Sequence, residues 1–147
     1  MKKNQVSENI LELEIINDLK EVSIVIDEFE AFCLAQNIEN SAVQKVNVVL
    51  DEIINNIVNY GYPKEEERLI LIKIAIENSS MVLTITDDGK AFNPFDIDKP
   101  DLSLSLEDRP VGGVGLYIVK NLMDSYSYER VNSKNIVEIV KDNINKL

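Results

Sequence analysis

Three short stretches of this 147-residue chain carry residue types that can do chemistry together. The first, LDEIINNIVNYGY at residues 50–62, sets Glu52, Asn55, Asn56 and Asn59 among apolar residues at helical spacing. At 3.6 residues per turn, Glu52 and Asn56 lie one above the other on the border of the apolar stripe, with Asn59 beside them. An amide oxygen is a hard, neutral ligand suited to Mg²⁺, and a carboxylate one turn away can take a proton or orient water. A polar helix face turned to solvent has the same spacing. In the second stretch, TITDDGKAFNP, the alternation of Met81, Leu83 and Ile85 continues to Asp87. Strand parity therefore puts Asp87 on the core face and Asp88 on the other. A buried carboxylate needs a partner, and the exocyclic amine of a purine is one, with Gly89 letting a base approach the backbone. An ordinary Asp-Gly turn closing a strand reads the same way. The third stretch, RPVGGVGLYIVKNLM, places Gly112, Gly113 and Gly115 before an apolar helix, with Arg109 just upstream. Glycines let backbone amides approach phosphate oxygens, and a helix N-terminus favours an anion. The Gly-Lys-Ser/Thr of a Walker A loop is absent.

The elements that must carry these stretches follow from periodicity. NILELEII alternates apolar and polar residues and predicts a first strand, with Asn17 or Asp18 capping the helix after it. Leu19, Val22, Ile26, Phe29 and Cys33 form the stripe of that helix. Asn40 or Ser41 is placed to cap a second helix, whose stripe is Val43, Val46, Leu50, Ile53, Ile57 and Tyr60, with Gly61 at its C-cap. Two strands at 68–77 and 81–87 are joined at Asn78-Ser79-Ser80. An irregular stretch with three prolines spans 88–111, a length that is usually functional. A short helix, LYIVKNLM, follows the glycines, and SYSYER and NIVEIVK form two strands around a turn at Asn132-Ser133. Hairpin-joined strands covered on one face by helices predict a two-layer α/β sandwich on a mixed, mainly antiparallel sheet.

Composition narrows the function. The hydrophobic fraction is 45% and the charged fraction 28%, as in an ordinary globular chain, and one domain over 1–147 is expected. A net charge of −11 argues against nucleic acid or an anionic membrane as main partner. The chain has no histidine, which removes His-based acid–base chemistry and His metal ligation. Its one cysteine, Cys33, excludes an intrachain disulfide and reads as a small buried hydrophobe. With no apolar signal segment and no 18-residue apolar run, the expectation is a cytoplasmic protein.

In order and spacing the three stretches resemble the GHKL nucleotide-binding fold across about residues 9–141: Glu-x-x-x-Asn, then Asp-x-Gly, then Gly-x-Gly opening a helix. Asp-Asp-Gly followed by Phe-Asn-Pro at 87–94, and Arg-Pro-x-Gly-Gly-x-Gly at 109–115, are similar to the anti-sigma-factor serine/threonine kinases of the RsbW type. That resemblance implies ATP and Mg²⁺ as cofactors. It implies Asn56 on the metal, Glu52 as general base, Asp87 on the adenine amine and Gly89 beside the base. Gly112, Gly113, Gly115 and Arg109 would contact phosphates, and Asn59 would supplement that shell. It further implies a sigma factor or similar regulator as bound partner, a STAS-domain antagonist as phosphoryl acceptor, and a homodimer. The sequence departs from the family pattern at Ala91, at Tyr60, and in the last purine-pocket motif, where NSKNIVEIV offers Asn135. The alternative is a nucleotide-gated binding module without catalysis. A histidine-kinase catalytic domain ranks below both, since the chain lacks a phosphoacceptor histidine.

Overall fold

A computed structural model describes residues 1–63, 66–96 and 113–145, without the side chains of 4–6. The elements run β1 (Lys2–Ser7), β2 (Ile10–Ile16), α1 (Lys20–Ala35), α2 (Asn40–Tyr60), β3 (Leu69–Glu77), β4 (Ser80–Asp87), α3 (Gly113–Leu122), β5 (Ser125–Val131) and β6 (Lys134–Lys141). The strands form one sheet in the order β1-β2-β3-β4-β6-β5. Every pairing among the described residues is antiparallel, which agrees with the mainly antiparallel sheet expected. Period-two alternation then does the sorting. Leu11, Leu13, Ile15, Ile70, Ile72, Ile74, Met81, Leu83, Ile85, Val137 and Ile139 turn to one face and join Phe29, Leu50, Ile53 and Leu116 from the helices in a single core. Each such side chain contributes roughly 1.5–3 kcal/mol on burial. On the opposite face Glu12, Lys73, Thr84 and Glu138 line up in register across β2, β3, β4 and β6.

Several local expectations change in the structure. β1 was not anticipated: KKNQVS lacks an alternating apolar pattern, and the strand forms by hairpin pairing with β2. In α1 the buried stripe is Val22, Val25, Phe29, Phe32 and Cys33, while Leu19, expected inside, is 48% exposed. Leu19 is the N-cap, so its side chain lies before the turn that first meets the core. Asp18 Oδ1 accepts from the Lys20 amide at 2.9 Å, whereas Asn17 bridges to the Arg68 amide and the Glu66 carbonyl. The α2 cap is Glu39, whose carboxylate accepts from the Ser41 amide and hydroxyl, so neither Asn40 nor Ser41 has that role. Tyr60, placed on the inner stripe by periodicity, is exposed because α2 ends beyond the packed core. Gly61 caps α2 in right-handed geometry, φ −80°, rather than in the left-handed form. Cys33 is buried, and burial with the nearby Glu30 charge pushes its thiol up to about 12.

The β5–β6 hairpin turns through Asn132 and Ser133 with φ of 51° and 62°. Two positive φ values match the twist of the flanking strands, and that turn favours Asn-Gly. Asn132 tolerates this region and Ser133 bears strain. Ser133→Gly should therefore stabilise the protein by about 1 kcal/mol, seen as a higher midpoint in urea unfolding with an unchanged slope.

Candidate functional site

The last residue of β4 is the centre of the site. Asp87 faces Ile70 on one side and Asn135 on the other, in register, and is 4% exposed. Its Oδ1 accepts from the Gly89 amide at 2.9 Å and from Asn135 Nδ2 at 3.0 Å. Among the described residues no donor reaches Oδ2. Burial raises the Asp87 carboxyl above the usual range, opposed by these two hydrogen bonds and by the Arg130 charge. Asp88, one residue on, points away and accepts from Arg68 Nε at 3.3 Å and Nη2 at 2.6 Å, which hold its carboxyl low. Two adjacent carboxylates thus have opposite environments because successive strand residues face opposite sides.

Asp87 opens into a cavity of about 290 Å³. Apolar walls come from Ile53, Ile57, Phe92 and Val137, and Asn56 and Asn135 add amides. Tyr60 stands at its rim. A mostly apolar cavity with a few convergent polar groups is the usual form of a small-molecule site. The turn after β4 forms one wall by packing on the end of α2. The Lys90 amide donates to the Gly61 carbonyl at 2.8 Å, and a Cβ on Gly89 would come within 2.6 Å of that same oxygen. Gly89 is therefore needed for the close approach of two backbone segments.

At the Asn56 end of the cavity, Asn56 Nδ2 donates to the Glu52 carbonyl at 2.7 Å and to Glu52 Oε2 at 3.2 Å. The amide is thereby turned with Oδ1 away from Glu52. Burial first, and the Asp51 charge second, raise the Glu52 carboxyl; the bond from Asn56 opposes them. Helix α3 begins against this carboxylate: a Cβ on Gly115 would lie 2.1 Å from Glu52 Oε2. Only a residue without a side chain leaves Glu52 where it is. The structure thus brings Glu52, Asn56, Asp87, Gly89 and Gly115 into one continuous region, with Gly113 opening α3. Asn59 is exposed and does not line the cavity. Arg109 and Gly112 lie outside the described residues. No cluster of three or more Asp, Glu, Cys or His side chains able to enclose a metal occurs among the described residues.

Sequence reasoning missed Tyr128 and Arg130, which donate to Asn135 Oδ1 at 2.6 Å and 3.0 Å, and treated Asn135 only as a substitute for a missing motif. The available signal was parity: Asn135 shares its face with Val137 and Ile139, so a polar residue stood on a buried face.

Comparison with known families matches residues 15–141 to the histidine kinase-like ATPase domain. The chain belongs to that family. It is similar to the serine/threonine-protein kinase BtrW of Bordetella bronchiseptica, with 32% identity over 54% of this chain and 56% of that one. It is also similar to the serine-protein kinase RsbW of Bacillus mycoides, with 30% identity over 56% of this chain and 53% of that one. With an anti-sigma F factor of Geobacillus thermodenitrificans it shares 24% identity over 69% of this chain and 70% of that one. The chain thus spans about half the length of the two kinases it matches. The fold is similar to that of a solved Mycobacterium tuberculosis protein containing RsbU and RsbW domains. That match has a TM-score of 0.67 and 11% identity, covering 92% of this chain and 32% of that chain. No helix among the described residues is long and apolar enough to cross a membrane.

The raised Asp87 carboxyl has a consequence for stability. A carboxyl whose folded pKa is raised supports the fold in its protonated form, and that support is lost as pH rises from the unfolded pKa through the folded one. Asp87→Asn keeps an oxygen for Gly89 and Asn135 but carries no charge. It should raise the melting temperature at neutral pH, and the gain should shrink as pH falls through the Asp87 titration, which thermal unfolding between pH 3 and 8 will measure.

Proposed function

We propose that the chain is an ATP:Mg²⁺-dependent serine/threonine protein kinase of the anti-sigma type. It would hold a sigma factor or similar regulator and phosphorylate a STAS-domain antagonist, working as a homodimer. The observation that supports this reading most is the meeting of Glu52, Asn56 and Gly115 at one end of a slot whose other end holds Asp87. The family match supports ATP as the nucleotide, and the relatives' names support protein-kinase and anti-sigma roles.

In this reading Asp87 Oδ2 accepts from the adenine amine, and Ile53, Ile57, Phe92 and Val137 flank the ring. Asn56 Oδ1 would hold Mg²⁺, which neutralises charge on the phosphates when bound. Backbone amides at Gly113 and Gly115, with Gly112 and Arg109, would face the phosphates. Glu52 accepts the proton of the attacking Ser or Thr hydroxyl as the new P–O bond forms and the bond to the β-phosphate oxygen breaks. Burial suits the base, because a raised carboxyl has more affinity for that proton. Positioning and charge neutralisation supply most of the rate.

Glu52→Gln should lower phosphoryl transfer by roughly 10²–10⁴-fold and leave the Kd for ATP nearly unchanged, measured with labelled ATP and candidate STAS-domain acceptors. Asn56→Ala should remove the Mg²⁺-dependent part of ATP binding, read by calorimetric titration with and without Mg²⁺. Equal transfer by Glu52→Gln and the unsubstituted protein would remove the base assignment. ATP binding without transfer to any acceptor would favour a nucleotide-gated binding module instead.

A further inference from the structure

A second concavity, of about 420 Å³, lies between α1 and α2. Cys33 and Ile38 are its buried floor, and Ala31 and Leu34 from α1 and Val43 from α2 add apolar walls. Leu34 is 82% exposed, more than any other large apolar side chain among the described residues. On α2 this groove takes Asn40 and Val43, whereas the Asp87 cavity takes residues from Ile53 to Tyr60. Val43 and Asn56 are about 20 Å apart along the helix axis, so the two concavities are separate.

The charged residues lining the groove, Asp27 and Glu30, are both acidic. Glu28, beside Asp27, is paired with Lys3 Nζ at 2.9 Å. Asp27 and Glu30 have no salt-bridge partner among the described residues. Asn47 Nδ2 donates to Glu30 Oε1 at 3.0 Å, which ties α2 to α1 and fixes the carboxylate that borders the groove. No basic residue stands in the last turn of α1, so the negative end of that helix dipole is uncompensated. The positive end of α2 is already met by the Glu39 carboxylate.

We propose that this groove docks a basic amphipathic helix of a partner protein. An aliphatic side chain of that helix seats against Ala31, Leu34 and Val43, and Lys or Arg residues one and two turns along meet Glu30 and Asp27. The spacing follows from α1 itself. Glu30 and Asp27 lie four and seven residues before Leu34, so a helix laid along α1 meets all three with its own residues i, i+4 and i+7. Charge complementarity selects this occupant. An acidic segment or a nucleic acid would meet two carboxylates and a helix C-terminus, and a second copy of the chain would bring another net charge of −11. The same field steers a cationic helix toward the groove. The proposal stands on this groove alone and does not rest on the nucleotide reading.

The test is NMR titration of the isotope-labelled full chain with an alanine-based helical peptide of roughly 18 residues. The peptide carries Leu at one position and Arg four and seven residues on. A control peptide has the same composition with both Arg residues moved to the opposite face. The first peptide should shift amides of residues 27–34 and 38–47. Its Kd should rise about threefold in Glu30→Gln and about tenfold in Leu34→Ser, and binding should weaken as salt is raised to about 0.5 M. Gln at position 30 keeps an acceptor for Asn47, and Leu34 is exposed, so both variants should fold, which thermal unfolding checks. Equal binding of the control peptide, shifts centred elsewhere on the acidic surface, no binding, or an unchanged Kd in both variants would overturn the proposal. A dimer in sedimentation that Leu34→Ser dissociates would assign the groove to a second copy and overturn it as well. ATP titration of the same samples reads the other site. A chain that docks the peptide as described but binds no ATP would support this proposal and remove the nucleotide reading.

Discussion

Burial of the Asp87 carboxylate on the core face of the sheet is the constraint on which the site depends. Ionised carboxylates are rarely left in such places, because desolvation opposes the charge. Here strand parity leaves no choice: the residue after Ile85 and Thr86 on the inner face of β4 is Asp87. The protein answers with a fixed set of donors on one oxygen: the Gly89 amide from the turn and Asn135 from the neighbouring strand. The other oxygen faces the cavity. A group that costs stability is retained where an incoming donor can complete its hydrogen bonds, the expected mark of a binding position.

The cavity exists because three elements meet at that carboxylate and do not close over it. β4 and β6 supply the floor through Asp87, Asn135 and Val137, and α2 supplies one wall through Ile53, Asn56 and Ile57. The turn after β4 supplies the other wall, and its approach to α2 is set by two glycines: Gly61 offers its carbonyl and Gly89 has no Cβ to obstruct it. α3 then ends the region on the far side of Asn56, where Gly115 meets Glu52. None of these contacts is local in sequence, so the site forms only once the sheet is assembled and the helices are packed on it.

Much of this was legible from residue spacing. The strand pair carrying Ile70, Ile72 and Ile74 against Met81, Leu83 and Ile85 has the alternation that defines a half-buried sheet. Asp87 on the inner face followed from the same parity, and the 100° rotation placed Glu52 beside Asn56. Other features were invisible for identifiable reasons. β1 has no apolar period and is held by its neighbour, so nothing local announces it. The role of Glu39 as cap, in place of Asn40 or Ser41, depends on its carboxylate accepting from both the backbone amide and the hydroxyl of Ser41, a bond that a longer side chain reaches from a position where shorter ones are usual. Tyr128 and Arg130 sit on a strand that is exposed except at the half-buried Tyr128, and their contacts come from what β6 places opposite them. Cross-strand register is a long-range property, and a single sequence shows each strand's faces without showing which residues will stand side by side.

The amides of α2 show how the helix carries candidate site residues without losing its own stability. Asparagine is unfavourable in a helix interior because its side chain competes for backbone partners. In α2 that competition is directed along the helix: Asn55 Nδ2 donates to the Asp51 carbonyl at 2.6 Å and Asn56 Nδ2 to the Glu52 carbonyl at 2.7 Å. Each amide is satisfied one turn back, so neither draws the chain toward a turn. Asn55 faces outward and closes its second bond on Asp51. Asn56 differs only in lying on the border of the buried stripe, where the same back-bond turns its free oxygen toward the cavity instead of toward water. Helical rotation alone separates a structural amide from a candidate ligand. That rotation is fixed by Val46, Val49, Leu50, Ile53 and Ile54, which lock α2 onto the sheet. The apolar stripe therefore sets the angle at which Glu52 and Asn56 address whatever enters beside Asp87.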